Sequence, residues 1–417
     1  MKYLPTTFVN SLRVNVLMNS LRVLWLLLWI LGSGSGLTVY GQAQAPEIVQ
    51  QQKPLLLDMN MQIEATQAVN DMYDFKFARA EKQFRWIKQD HPNHPLPYFL
   101  LGLSQWWKIV PNPHEIKYDD RCLAYMDTAT VLAERMLDRD EEDPEAAFFL
   151  AAAYAFKGRL HSERRDFTKA ASDGRLSLKY LELCKGKEDF SPELLFGDAL
   201  YNYYAEWIKD NYPILRPLMI FFPNGDKKLG IKQLKTTANN AFYTRTEAQY
   251  FLMRILSEEQ NDPREAFRIS EYLHKTFPDN AYFHRYYARQ LYSRGKHRDA
   301  ERVSLDILAK IDSSMTGYEA TSGRYAAFFL GQIYQMRAEL AEAEKYYNKT
   351  IEFARSIDAT ESGYYHYSML YLGEIAEKRD NPDQAKKYYK LVKKEAKRSS
   401  RAHEKARNNL RSLRQSD

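Results

Sequence analysis

The stretch FLGQIYQMRAELAEAEKYY, residues 329–347, decides how the chain is read. Gly331 precedes Ala343 by twelve residues, and Tyr347 follows Ala343 by four, one turn further along the same helical face. The interval recurs. YYARQLYSRGKHRDAERVSLDIL (286–308) reads as a helix, a turn at Gly295 and a second helix, with Ala288 twelve residues before Ala300. Gly373 and Ala385 repeat it in 371–389, as do Ala68 and Ala80 in 68–84, and aromatic residues again follow four positions on, at Tyr389 and Phe84. A small side chain on the first helix lets a partner helix approach closely, and the aromatic fills the space beyond.

Ala266 and Ala300 are 34 residues apart, whereas Ala300, Ala343 and Ala385 follow at 43 and 42, so the repeat carries insertions. Helix starts support the phase: Asp143-Pro144, Ser191-Pro192, Asp262-Pro263 and Asn381-Pro382 each set a capping side chain before a proline at the first helical position. The chain resembles the tetratricopeptide repeat family, through Ala68, Ala80, Phe84 and Pro92, through Ala266 and Pro278, and through Leu330, Gly331, Tyr334, Ala343 and Tyr347. The resemblance implies an all-α fold, a right-handed α-solenoid of about eight helix-turn-helix units. Units are expected to start near 61, 95, 144, 190, 247, 281, 324 and 366, with a closing helix near 399–414. The segment 61–240 reads as irregular repeats with insertions, 241–398 as regular repeats, and 399–417 as a basic capping helix and tail.

The N-terminus differs in kind. Nine apolar residues from Val23 to Leu31 follow Arg13 and Arg22 and precede GSGSG, which is the grammar of a secretory signal. Nine is far short of the roughly 20 residues a membrane span needs. Residues 1–41 are therefore expected to be a signal peptide, with cleavage between 41 and 45, followed by a linker over 42–60. The destination expected is the periplasm of a Gram-negative cell. The rest of the chain, rich in tyrosine (30) and phenylalanine (21) and sparse in glycine (17) and proline (16), has the composition of a folded, helix-rich protein. Its two cysteines, Cys122 and Cys184, sit in helical sequence as two small buried hydrophobes, and a disulfide between them stays open.

No stretch carries a catalytic, metal or cofactor signature. His91 and His94 in DHPNHP lie among prolines and read as an inter-repeat turn, and HEIKY at 114 lacks the second histidine of a zinc-protease helix. DRDEEDPE (138–145) lacks the alternating ligands and central glycine of a calcium loop and reads as a helix end and the next cap. GDKKLG (225–230) lacks phosphate-loop spacing. In NYPILRPLMIFFPNG (211–225), prolines break an apolar run, so Leu215, Leu218, Ile220, Phe221 and Phe222 are expected to cap the core, or else to form a docking loop. From Lys386 to Asp417, twelve Lys and Arg face three Asp and Glu, a solvated cap or a contact for an acidic partner or an anionic membrane surface.

An array of this kind offers its concave face, along the first helices, as the default binding surface. The resemblance places Tyr282, Arg285, Arg289, Tyr292, Tyr325, Phe328, Gln332, Phe99 and Trp106 on it. Trp106 and Trp107 in LPYFLLGLSQWWKIVPN (96–112) lie about 100° apart on one helix, so one should pack inward and the other reach the groove. The reading favoured is a non-enzymatic scaffold for protein or peptide partners of the envelope, with no cofactor and no nucleic acid. A glycan or peptidoglycan module, and an enzyme with its site in the irregular middle, are the alternatives.

Overall fold

The computed structural model describes residues 54–415, apart from 188, 212, 214–215, 220–222 and 259–261. The expected signal segment, and Leu215, Ile220, Phe221 and Phe222 of the middle insertion, lie outside the described residues. Each helix packs on the next to form pairs: α1 (Met59–Tyr73) with α2 (Phe77–Asp90), α3 (Pro95–Ile109) with α4 (Asp119–Leu137), and α5 (Pro144–Glu163) with α6 (Phe167–Cys184). Then follow α7 (Leu195–Asn211) with α8 (Lys227–Asn240), α9 (Arg245–Glu258) with α10 (Pro263–Thr276), and α11 (Ala281–Ser293) with α12 (His297–Asp312). Last come α13 (Ala320–Met336) with α14 (Leu340–Ser356), α15 (Gly363–Lys378) with α16 (Pro382–Glu395), and a closing α17 (Arg401–Gln415). Among the described residues the chain is an all-α helical-repeat solenoid with insertions.

Five of the pairs turn in the same way. Two residues past the first helix stands one residue in the left-handed region: Phe75, Arg165, Gly295, Ala338 and Asp380, with φ of 61°, 62°, 71°, 62° and 53°. The next amide then bonds back to a carbonyl five residues upstream, Lys76 to Asp71, Asp166 to His161, Lys296 to Leu291, Glu339 to Tyr334 and Asn381 to Ala376. This closes the C-terminus of the first helix and aims the second back along it. Only Gly295 adopts that conformation without steric cost.

The caps form as the prolines imply, with one exception. Asp143 accepts from the amides of Glu145 and Ala146, Asp262 from Glu265 and Asn381 from Gln384. Ser191-Pro192, expected to start a helix, instead forms a turn before Leu195. Ser191 Oγ still accepts the Glu193 amide at 3.3 Å, and the Glu193 carboxylate accepts the amides of Phe242, Tyr243 and Thr244 at 2.6–2.9 Å, tying down the loop before α9. The small residues lie at close approaches: a Cβ on Gly331 would come within 2.7 Å of the Tyr347 ring, and one on Gly102 within 2.8 Å of Met126. Cys122 and Cys184 are both buried and form no disulfide, and burial pushes the Cys122 thiol up to about 12. On α17, Ala402, Ala406 and Leu410 face inward at a spacing of four while Arg407, Arg411 and Arg414 are exposed.

The array also turns back on itself, which the repeat pattern does not announce. The Trp107 indole on α3 donates to Glu247 Oε1 on α9 at 2.7 Å, across 140 residues of chain, and the Tyr73 hydroxyl reaches the same oxygen at 3.4 Å. Around this bond Trp107 packs edge-on against Tyr73, Tyr250 and Phe283 at 5.2–5.8 Å. Asn280 donates to the Tyr73 carbonyl, Asp279 N to Asp74, and Arg285 to the Pro111 carbonyl. Large aromatic side chains thus bridge the first two pairs to the fifth and sixth.

Two outcomes test this description. Ala338→Gly relieves the left-handed strain and should raise stability by roughly 0.5–1 kcal/mol in chemical denaturation. Trp107→Ala empties the bridge and leaves Glu247 only the longer Tyr73 hydrogen bond, and should cost at least the ~3–5 kcal/mol of a buried aromatic truncation.

Candidate functional site

The bridge brings α3 and α5 to face the first helices of later pairs, and a cavity of about 160 Å³ lies between them. It is lined by Arg159 on α5, by Tyr250 and Arg254 on α9, and by Tyr282, Arg285, Tyr286 and Arg289 on α11. Arg324 and Tyr325 on α13, Tyr364 on α15 and Trp106 on α3 complete the wall. Five guanidinium groups and five phenols meet only two carboxylates there, Glu163 and Glu258.

The arginines are positioned chiefly by aromatic faces. Arg159 lies 4.5 Å over the Trp106 ring, Arg285 4.8 Å over Tyr282, Arg289 5.7 Å over Tyr286 and Arg324 5.6 Å over Tyr325. Such contacts hold a planar cation without neutralising it, and leave its N–H edge for an acceptor. The acceptors present are few. Arg159 and Arg254 share the Tyr250 hydroxyl at 3.3 and 3.0 Å, with Glu258 3.7 Å from Arg254. Arg285 donates to the Pro111 carbonyl at 2.8 Å and to the Ser322 hydroxyl at 3.4 Å, with Glu319 3.9 Å away. Arg289 makes no hydrogen bond or ion pair among the described residues, and Arg324 Nε is buried without a hydrogen-bond partner. Burial raises the Tyr250 phenol, but Arg254 and Arg159 outweigh it and hold the group below its usual value. Burial pushes its neighbours Tyr282, Tyr286 and Tyr364 up. The arrangement can bind an anion or stack a planar group.

The structure brings Trp106, Tyr282, Arg285, Arg289 and Tyr325 together in this cavity and corrects the other four placements. Phe99 packs edge-on between Phe149 and Phe156, Phe328 is fully buried against Tyr364, and Tyr292 stacks on Phe329 at 4.8 Å while donating to Gln332. These side chains fill helix interfaces, because a first-helix aromatic one position off the groove points at the neighbouring pair. Trp106 and Trp107 are both buried, and Trp107 serves the bridge.

Arg159, Tyr250, Arg254, Tyr286, Arg324 and Tyr364 were not foreseen. A signal existed for two of them: Arg324 is the fifth residue of α13 as Arg285 is of α11, and Tyr364 the second of α15 as Tyr282 is of α11. Arg159 and Arg254 sit in units without a clean pattern.

The sequence motifs set aside earlier have structural jobs. His94 caps α3 through Nδ1, and Asp226 of GDKKLG caps α8. Among the described residues no group of three or more His, Cys, Asp or Glu is placed to hold a metal ion, and no helix is long and apolar enough to cross a membrane.

No sequence-family model matches the chain and no curated protein matches it in sequence. Similar solved structures exist at low identity. A human IFIT1 dimer with PPP-AAAA shares 13% identity and a TM-score of 0.38, over 76% of this chain and 67% of that one. Yeast Tom70 shares 13% with a TM-score of 0.36, over 85% and 82%. The P58(IPK) TPR domain shares 11% with a TM-score of 0.23, over 85% and 98%.

Opposite effects on stability should separate the two kinds of arginine. Arg285→Ala orphans the Pro111 carbonyl and should cost about 1–3 kcal/mol. Arg289→Gln removes a desolvated charge that lacks an acceptor and should be neutral or stabilising by roughly 0.5–1 kcal/mol in thermal melts.

Proposed function

We propose that the protein is a non-enzymatic adaptor of the Gram-negative envelope, exported by its N-terminal segment, which holds an acidic segment of a partner protein in the arginine-tyrosine cavity. The observation that carries this reading is the excess of guanidinium groups over carboxylates in a partly dehydrated cleft, with Arg289 and Arg324 short of acceptors. A carboxylate side chain entering the cleft supplies those acceptors, and bidentate pairing with arginine gives it orientation. The phenol rings supply contact area at low entropic cost. A cavity of about 160 Å³ takes side chains of an extended segment and excludes a helix about 10–12 Å across, so the partner presents a strand or chain end. Export rests on the basic, apolar and small-residue order of residues 13–36.

Photo-crosslinking from position 325 in intact cells tests the reading. A discrete protein adduct at an acidic segment is expected, lost in the Arg289→Gln/Arg324→Gln double variant, from a periplasmic chain beginning between residues 42 and 46. Recovery on glycan resin alone, with no protein adduct, would overturn it.

A further inference from the structure

The seam between the third and fourth pairs is unlike the others. Here no core cluster is shared: Phe148, Leu160 and Leu181 belong to the large cluster, whereas Ala199, Tyr203 and Trp207 join Leu234 and Leu252 in a separate one, and the fifth pair contributes to both. Between the two clusters lies a chamber of about 310 Å³. Its walls are mostly hydrocarbon and aromatic, with Phe148, Phe156, Leu178, Leu181, Leu200 and Phe251 among them. Small residues create the space: Ala152, Ala155 and Gly174 stand where bulkier side chains would close the seam. Ala155 is exposed, which marks a mouth to solvent.

The chamber is not apolar throughout. At one end it is lined by Arg159, Glu163 and Arg254, and these same three residues line the arginine-tyrosine cavity. The two cavities therefore meet at a pair of guanidinium groups that share the Tyr250 hydroxyl, with Glu258 3.7 Å from Arg254. The space is thus graded, hydrocarbon at one end and charged at the other, where two guanidinium groups meet the carboxylates of Glu163 and Glu247. Water fits the hydrocarbon end poorly, since ordered water needs two to four polar partners. A peptide fits it poorly as well, because the apolar walls offer no partners for backbone amides.

We propose that this chamber holds a single-chain anionic amphiphile, a long-chain fatty acid, with its hydrocarbon between α5, α6 and α7 and its carboxylate at Arg159 and Arg254. The volume stands near the lower end of the about 300–1,000 Å³ of small-ligand sites, room for one acyl chain and not for two. The carboxylate matches the planar fork of a guanidinium and gives a further acceptor to Arg159, whose hydrogen bond goes to the Tyr250 hydroxyl alone. The inference does not rest on the partner-protein reading, since the ligand differs and its hydrocarbon lies in a separate chamber, although Arg159 and Arg254 border both cavities.

The test uses the mature chain stripped of lipid and titrated by calorimetry with palmitate, and with hexadecanol as a neutral counterpart. One palmitate per chain is expected at saturation. Ala155→Phe, at an exposed position that tolerates bulk without refolding the core, should weaken palmitate and hexadecanol alike by about tenfold or more, with unchanged helicity. Arg254→Gln should weaken palmitate by about tenfold or more, the loss of one charge-assisted hydrogen bond, and hexadecanol by less than about threefold. Absence of palmitate binding to the wild-type chain would overturn the proposal, and so would undiminished binding by Ala155→Phe. Concentration-dependent dimerisation abolished by Ala155→Phe, without palmitate binding, would place a second copy in the chamber and equally overturn it. Crosslinking to a protein partner from position 325 reads the other cavity, so failure of one reading is distinguishable from failure of the other.

Discussion

The Glu247 carboxylate, held by the Trp107 indole and the Tyr73 hydroxyl, is the contact on which the rest of the arrangement depends. Burial pushes its pKa up, opposed by the Trp107 hydrogen bond and the charge of Arg159. A carboxylate so placed is costly unless donors reach it, and both donors come from helices at the other end of the superhelical turn. The bond therefore forms only when the first two pairs sit against the fifth, and the aromatic rings around Trp107 exclude water once they do. The cavity between α3, α5 and the later first helices exists because of that docking.

Two other buried glutamates share the habit of Glu247 across long stretches of chain. Glu193 gathers the amides of Phe242, Tyr243 and Thr244, and Glu145 accepts the amide of Leu56 at 2.6 Å. Each fixes a segment distant in sequence, and each does so with directional bonds that apolar packing alone would not supply. The arginines of the concave side follow the opposite logic. They are held chiefly by ring faces, with carboxylates near only Arg254 and Arg285 among the described residues, which sets their positions and leaves Arg289 and Arg324 without a partner carboxylate. Structural acids are satisfied inside the protein, and the surplus of positive charge faces the cavity.

Legibility in the sequence followed the range of the interactions. Gly331 with Ala343 and Tyr347, and the caps at Asp143, Asp262 and Asn381, are local signals and showed the helix pairs directly. First helices expected near 61, 95, 144, 190, 247, 281, 324 and 366 begin at 59, 95, 144, 195, 245, 281, 320 and 363. The unit at 144–184 looked irregular because, although Gly158 precedes Ala170 by twelve, Gly174 stands four residues further on where the clear units carry an aromatic. The bridge was illegible for another reason: Trp107 and Glu247 belong to no local pattern, and 140 residues separate them. Arg285 and Tyr282 were visible from their helical phase, but Tyr292, Phe328 and Gln332 share that look while filling helix interfaces, since one residue of rotation decides between groove and neighbour.

The bridge has a consequence for how the molecule holds together. In an open array each repeat touches only its neighbours, stability adds up unit by unit, and either end can fray or be trimmed while the remainder stands. Joining the first pairs to the fifth and sixth turns that line into a circuit. The N-terminal helices lose their independence as an end, and pairs separated by most of the chain become parts of one cooperative unit. Its folding must wait for long-range closure after the hairpins have formed, which raises the contact order and slows the final step.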